Sequence, residues 1–246
     1  MIVCAWDENT QLEIGIFAQA WINPIEVFMK HFLLSLLLLI STSIAQAAVS
    51  LPLDKAVLNN QDMPFVSHRG EGRFDTTLAM NVQYAPVKAL RDELTQALGY
   101  DLKFFTLWQV TGEAHITVLT PIEYFDKIKP FVSIERIETI AQKMNIQNSE
   151  FDILGLGRGQ ASLSGKTEET YFIIVHAQNL LEIRKQIYTE YLKNGGPAKA
   201  WDPNLFYPHI TVGYSLRDLH IDDGVVKNVD KSLDNRFELI LFNNLD

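Results

Sequence analysis

Ala114-His115-Ile116-Thr117-Val118 returns as Pro208-His209-Ile210-Thr211-Val212, 94 positions further along the chain. With each residue type at about one in twenty, a given tetrapeptide recurs by chance in roughly one chain in a thousand of this length. Read as strands, the two copies acquire a meaning. Successive side chains of a strand point to opposite faces, so His115 and Thr117 share one face while Ile116 and Val118 share the other. The second copy sorts the same way. Isoleucine and valine can enter a core while imidazole and hydroxyl line a cleft. A lone strand histidine is ordinarily a half-buried residue satisfied by its neighbours, whereas two identical His-Thr pairs point to a site.

The surroundings repeat too. An apolar stretch over 78–84 predicts a strand, and Pro86 opens a helix at its first turn. Val87, Leu90, Leu94, Ala97 and Leu98 keep helical spacing up to Gly99, a C-cap. Residues 103–110 read as β-prone, and 114–119 as the strand of the first motif. Thr120-Pro121-Ile122-Glu123 has capping-box form, and Ile134, Ile137, Ile140, Ala141 and Met144 trace a second amphipathic helix. In the second half, strands are expected over 151–156 and 171–175, flanking a polar, glycine-rich connection. Leu180, Ile183, Ile187 and Tyr191 give a helix ending at Asn194-Gly195-Gly196-Pro197, followed by strands over 206–213 and 237–242. Each half thus reads as strand, helix, then the His-Ile-Thr-Val strand.

Two imidazoles with an unperturbed pKa of about 6.5 can supply a base and an acid together near neutral pH. Hydrolysis of a cyclic phosphodiester needs both, one to activate water and one to protonate the leaving oxygen. Thr117 and Thr211 can donate to phosphate oxygens as charge develops there.

With these residues the chain resembles the 2H phosphoesterase superfamily, marked by two H-x-[ST]-x motifs, one in each lobe of a bilobal fold. The run Glu113-Ala-His115-Ile-Thr117-Val-Leu-Thr-Pro121 is most similar to its Swiss-army-knife subgroup. The resemblance spans about 74–242. It implies an α+β, bilobal fold of two pseudo-symmetric strand–helix–strand lobes, with antiparallel sheets around a central groove. It also implies His115, His209, Thr117 and Thr211 as catalytic residues, with no metal and no cofactor. On the same strand faces, Glu113 could orient His115, Tyr207 stands likewise before His209, and Gly213 leaves room for a substrate. Arg158 and Lys166, in the glycine-rich connection, could meet phosphate.

Composition bounds the partners. The 246 residues are 47% hydrophobic and 21% charged, with a formal charge of −9. Broad phosphate-backbone binding needs clustered Lys and Arg, so the expected substrate is a small nucleotide or an RNA end. Met29-Lys30-His31, the apolar run from Phe32 to Ile40, and Ala45-Gln46-Ala47 have the three parts of a secretory signal, cut after Ala47. The run is too short and too interrupted by serine for a membrane span. Residues 1–28 carry Asp7, Glu8, Glu13 and Glu26 but no basic residue, which suits a mis-called start better than a leader. The expected organisation is an extension over 1–28, a signal over 29–47, an N-terminal arm over 48–73 and the domain over 74–246. Cleavage removes Lys30 and those four acids, taking the charge from −9 to −6, and removes Cys4, the single cysteine. The mature protein is expected to be exported from a bacterial cell, periplasmic or secreted, monomeric and without a membrane anchor.

Other motifs carry less. Gly155-Leu-Gly157-Arg-Gly159 lacks dinucleotide-loop spacing, and Gly159 to Thr167 has five residues where a P-loop has four. His68, His176 and His220 have no recurring context and read as surface residues. A zinc site built on the histidine pair lacks a supporting carboxylate or cysteine cluster. The functional expectation is a metal-independent phosphodiesterase acting on a cyclic phosphate. The rival readings are a non-catalytic nucleotide- or phosphate-binding module and a secreted interaction protein on the same fold. N-terminal sequencing of the exported protein is expected to read Ala48-Val49-Ser50; a chain retaining Met1 or Met29 would refute cleavage after Ala47.

Overall fold

The structure, a computed structural model, describes residues 47–70, 72, 74–105 and 113–243. All belong to the second of the two units into which the chain divides, Ala47–Asp246. The extension over 1–28 and the signal, save Ala47, lie outside the described residues, as does most of the strand expected over 103–110. No helix among the described residues is long and apolar enough to cross a membrane.

Alternating burial along β3 (Ala114–Leu119) and β6 (His209–Tyr214) sets the architecture. Ile116, Val118, Ile210 and Val212 are fully buried, while His115, Thr117, His209 and Thr211 remain half-buried on the opposite face. Ile116 pairs with Ile210, so the two motif copies occupy adjacent strands. With β2 (Leu78–Val82), β4 (Asp152–Leu163) and β5 (Lys166–His176) they form one five-stranded antiparallel sheet, ordered β2-β3-β6-β5-β4. The sheet runs continuously through both halves of the chain. In each half, paired strands are joined through a helix: β2–α1–β3 and β5–α3–β6.

The helices form where apolar spacing and caps agree. α1 (Tyr84–Leu98) ends at Gly99, whose φ of 75° places the C-cap in the left-handed region and whose N–H reaches Thr95 O. Pro86 lies in its first turn, two residues inside the start. α2 (Ile134–Lys143) is capped by the Ser133 hydroxyl, and α3 (Gln178–Lys193) stops just before Asn194. Their apolar stripes (Val87, Leu90 and Leu94; Ile137 and Ala141; Leu180, Ile183 and Ile187) join the isoleucines and valines of β3 and β6 in one core.

Two expectations need correction. The N-terminal arm is not irregular: Val49–Asp54 forms β1, which pairs in parallel with β7 (Phe237–Phe242) and buries Leu51 and Leu53. The hydrophobic alternation there is short and crossed by Pro52, which an edge strand tolerates. The glycine-rich connection is not a loop either. Residues 152–176 form a long hairpin, turning only at Ser164-Gly165. Its glycines are strand positions where something crosses close to the backbone. A Cβ on Gly157 would overlap the Phe172 ring, one on Gly159 would overlap Val225, and one on Gly155 would meet Leu233.

One buried guanidinium ties the exit of β3 to the approach of β6. Arg184, from α3, donates to Val118 O (2.7 Å), Pro203 O (2.9 Å) and Glu123 Oε1 (2.7 Å). Glu123 completes the expected capping box with Thr120 and also accepts from Trp201 Nε1 at 2.9 Å. The Arg184 side chain is 1% exposed, so removing it strands a largely buried carboxylate, at a cost of about 3–5 kcal/mol. Arg184→Met is therefore expected to lower the urea midpoint at unchanged slope, measured by circular dichroism.

Candidate active site

The Ile116–Ile210 pairing positions the four motif side chains. In that register His115 lies across from Thr211, and Thr117 across from His209, all on the face away from the helices. His115 and His209 are then diagonal neighbours on one face, about 7–8 Å apart at the backbone.

His209 is held in a single tautomer. Its Nδ1 lies 2.8 Å from the backbone carbonyl of Tyr207, which can only accept, so Nδ1 carries the proton. Nε2 is then free to accept, and it does so from the Lys227 ammonium at 3.1 Å. The ring packs edge-on against Phe172, centroids 5.6 Å apart. Lys227 forms a buried pair with Asp218 at 2.8 and 3.0 Å, each side chain 4% exposed. Asp218 also accepts from the hydroxyls of Thr170 (2.6 Å) and Thr211 (3.2 Å), and His220 Nε2 stands 4.0 Å from it.

His115 has different company. Its Nδ1 is 3.9 Å from Glu113 Oε1, which is 3.1 Å from His68 Nε2, and the two rings lie 5.7 Å apart. Asn81 is its neighbour on β2. The Asn81 amide donates to Pro64 O, and Gln147 bridges Asn60 O and Asn81 O. These bonds, with Thr77 N–H to His68 O, hold the arm that delivers His68 against the sheet.

The local fields follow. Burial pushes the His115 pKa down to about 3, reinforced by His68 and only partly opposed by Asp218. Burial does the same to His209, to about 3, helped by the Lys227 charge and opposed by Asp218 and the Tyr207 carbonyl. For Asp218, burial works upward, but Lys227, His220 and His209 outweigh it and hold the carboxyl well below its ordinary range. Burial lowers Lys227, which Asp218 partly offsets, and raises Glu113, which His68 partly offsets.

The residues singled out from the sequence are thus partly gathered and partly dispersed. His115, Thr117, His209 and Thr211 share one face, and Glu113 lies beside His115. Thr211 directs its hydroxyl to Asp218. Tyr207 acts on His209 through its backbone carbonyl. Gly213 does not open room for a substrate: a Cβ there would press on Leu102, Lys103 O and Arg91 at 3.0–3.2 Å, so it is a packing glycine. Arg158 pairs with Glu169 at 3.5 Å, further along the hairpin. Lys166 stands at the hairpin tip, eight residues along β5 from Ile174, the partner of His209, or about 27 Å.

Three residues were missed. His68, read as a surface residue, is 10% exposed and pairs with Glu113. Asp218 and Lys227 carried no local signature beyond the sequence Asp218-Leu219-His220. His176 is exposed, as read, and so is His220, although its ring reaches toward Asp218. Among the described residues no group of three or more His, Cys, Asp or Glu is arranged to hold a metal ion.

The family description "Swiss Army Knife, 2H phosphoesterase domain" matches residues 76–220, more than half of the chain and both motif copies. The chain belongs to this family. Membership assigns the domain to the phosphoester hydrolases, and the matched residues include both the His115–Thr117 and the His209–Thr211 pair. No curated protein and no solved structure matches the chain. His68 lies before the matched residues and Lys227 after them, so the 2H domain here is supplemented from both flanks.

Both rings are expected to stay neutral between about pH 8 and pH 4 in the unliganded protein, read from imidazole nitrogen shifts by NMR. A ring titrating near 6.5 would contradict their burial. Folded pKa values below the unfolded value mean that the unfolded chain binds more protons between about pH 6.5 and 3. Stability therefore falls as pH drops through that window, by up to about 1.4 kcal/mol per pH unit for each ring.

Proposed function

We propose that this 2H phosphoesterase hydrolyses a cyclic phosphate or a small nucleotide phosphodiester by acid–base catalysis between His115 and His209, without a metal ion. The observation that carries the reading is the pairing of Ile116 with Ile210, from which both imidazoles fall on one face as diagonal neighbours. An ammonium on the Nε2 of His209 also repels a divalent cation from that nitrogen.

In the hydrolytic direction His209 is the base. Its Nδ1 is committed to Tyr207 O, and the neighbouring positive charge keeps Nε2 unprotonated. Water gives its proton to Nε2 and attacks phosphorus, and the bond from phosphorus to the leaving oxygen breaks. His115 returns a proton to that oxygen. The bound phosphate adds negative charge beside His115, raising its pKa so that the ring can hold this proton, with Glu113 beside it.

The same reading includes export after cleavage at Ala47, which the order of Lys30, the apolar run from Phe32 to Ile40 and Ala45-Gln46-Ala47 supports. It also includes action as a monomer on small nucleotides or RNA ends, which the acidic charge supports. The lysine on His209 Nε2 favours one rival, a module that binds phosphate without turning it over.

Mature protein assayed on a panel of cyclic nucleotides and cyclic-phosphate oligonucleotides separates the two. Hydrolysis is expected in EDTA with a bell-shaped pH profile, and His115→Ala or His209→Ala is expected to lower kcat about 10²–10⁴-fold. Binding without hydrolysis would favour the rival, and undiminished activity in either variant would sink the two-histidine mechanism.

A further inference from the structure

The second motif threonine already has a partner within the protein. The Thr211 hydroxyl has one proton and gives it to Asp218 at 3.2 Å, as Thr170 does at 2.6 Å. The polar group that does reach the working nitrogen of His209 is Lys227, whose ammonium divides its donors between Asp218 and His209 Nε2. A buried ion pair is an expensive way to hold a fold together, since apolar residues of similar volume serve stability as well or better. Keeping one against a reactive imidazole calls for a chemical reason.

We propose that Lys227 binds the phosphoryl oxygens in this protein, and that Thr211 acts behind it by fixing the Asp218 carboxylate. The proposal rests on the phosphodiesterase reading above and deepens it. On binding, the ammonium turns from His209 Nε2 to a non-bridging oxygen of the substrate. That move frees Nε2 to take the proton of the attacking water and sets a full positive charge where negative charge gathers on phosphorus. Lys227 also borders a cleft of about 290 Å³, lined by Ile174, Leu181, Phe206, Tyr207 and Pro208. The remainder of a small phosphodiester can lie there, with its phosphate toward the lysine.

The fold is adapted to carry this residue. The segment bearing Lys227 crosses β4 where Gly155 and Gly159 leave space for Leu233 and Val225, and Gly157 leaves space for Phe172. The ammonium sits 5.2 Å from the centre of the Phe172 ring. Asp234 N–H to Leu156 O, and Arg217 to Asp223 at 2.6 and 2.8 Å, anchor the two ends of the segment. The glycine-rich run thus seats the lysine, a role that its spacing as a nucleotide loop could not explain.

Steady-state hydrolysis of the cyclic-nucleotide panel, together with a titration by inorganic phosphate followed on the His209 imidazole by NMR, tests this. Lys227→Met is expected to cut kcat/KM about 10²–10³-fold and to abolish the phosphate-dependent shift. Thr211→Val is expected to lose about tenfold or less and to keep that shift. The titratable groups facing His209 are Lys227, Asp218 and His220. Loss of the ammonium moves the acidic limb of the pH profile upward, and the lost phosphate-dependent shift is the readout that a merely structural lysine would leave in place. Where Lys227→Met does not fold, Lys227→Gln keeps the stem and is expected to show the same losses. A Thr211→Val loss equal to that of the lysine variant, or hydrolysis at the wild-type kcat/KM with Lys227→Met, overturns the proposal and leaves the phosphodiesterase reading intact. Phosphate binding through Lys227 with no hydrolysis of the panel sinks that reading and upholds this one. A protein that neither binds nor hydrolyses sinks both.

Discussion

The pairing of Ile116 with Ile210 is the contact on which the rest of the molecule turns. It aligns the two copies of a short motif antiparallel, so that each histidine faces the threonine of the other copy. Strand periodicity leaves no tolerance here. A slip of one residue in either strand would turn its imidazole and threonine toward the helix-covered core and its isoleucine and valine away from it. The burial of Ile116, Val118, Ile210 and Val212 therefore fixes the site as firmly as it fixes the sheet, and the same apolar contacts set both stability and chemistry.

Around that register the protein arranges charge in layers. Asp218 and Lys227 neutralise each other in the interior beside His209, while Glu113 and His68 form a second pair beside His115. The two imidazoles thus have unequal neighbours, which makes the rings chemically different although their motifs are identical. His209 touches an ammonium directly, whereas His115 is nearer to a carboxylate. A sequence repeat has become an asymmetric acid–base pair through residues that do not repeat.

What could be read from the sequence was what is encoded locally. The His-Ile-Thr-Val strands, the Gly99 C-cap, the capping box at Thr120–Glu123 and the apolar spacing of α2 and α3 each declare themselves within a few residues. The two H-x-T pairs were legible for the same reason, since period two alone sorts their side chains. What was illegible depends on remote partners. Val49–Asp54 is a strand because Phe237–Phe242 lies beside it. Gly155, Gly157 and Gly159 look like a loop, because glycine is a poor strand former, until Leu233, Phe172 and Val225 are seen to occupy the space they leave. His68 and Lys227 enter the site from opposite flanks of the family domain, and only the folded chain brings them to the same groove.

The parallel pairing of β1 with β7 bears on how the domain folds. The β4–β5 hairpin closes over a two-residue turn and can form early, as local contacts do. β1 must wait for β7, the last strand of the described chain, before its backbone is paired. During synthesis the first of the described strands is consequently among the last to be paired, and its backbone edge stays open until β7 has been made. Any machinery that handles the unfinished chain meets that strand with its edge open.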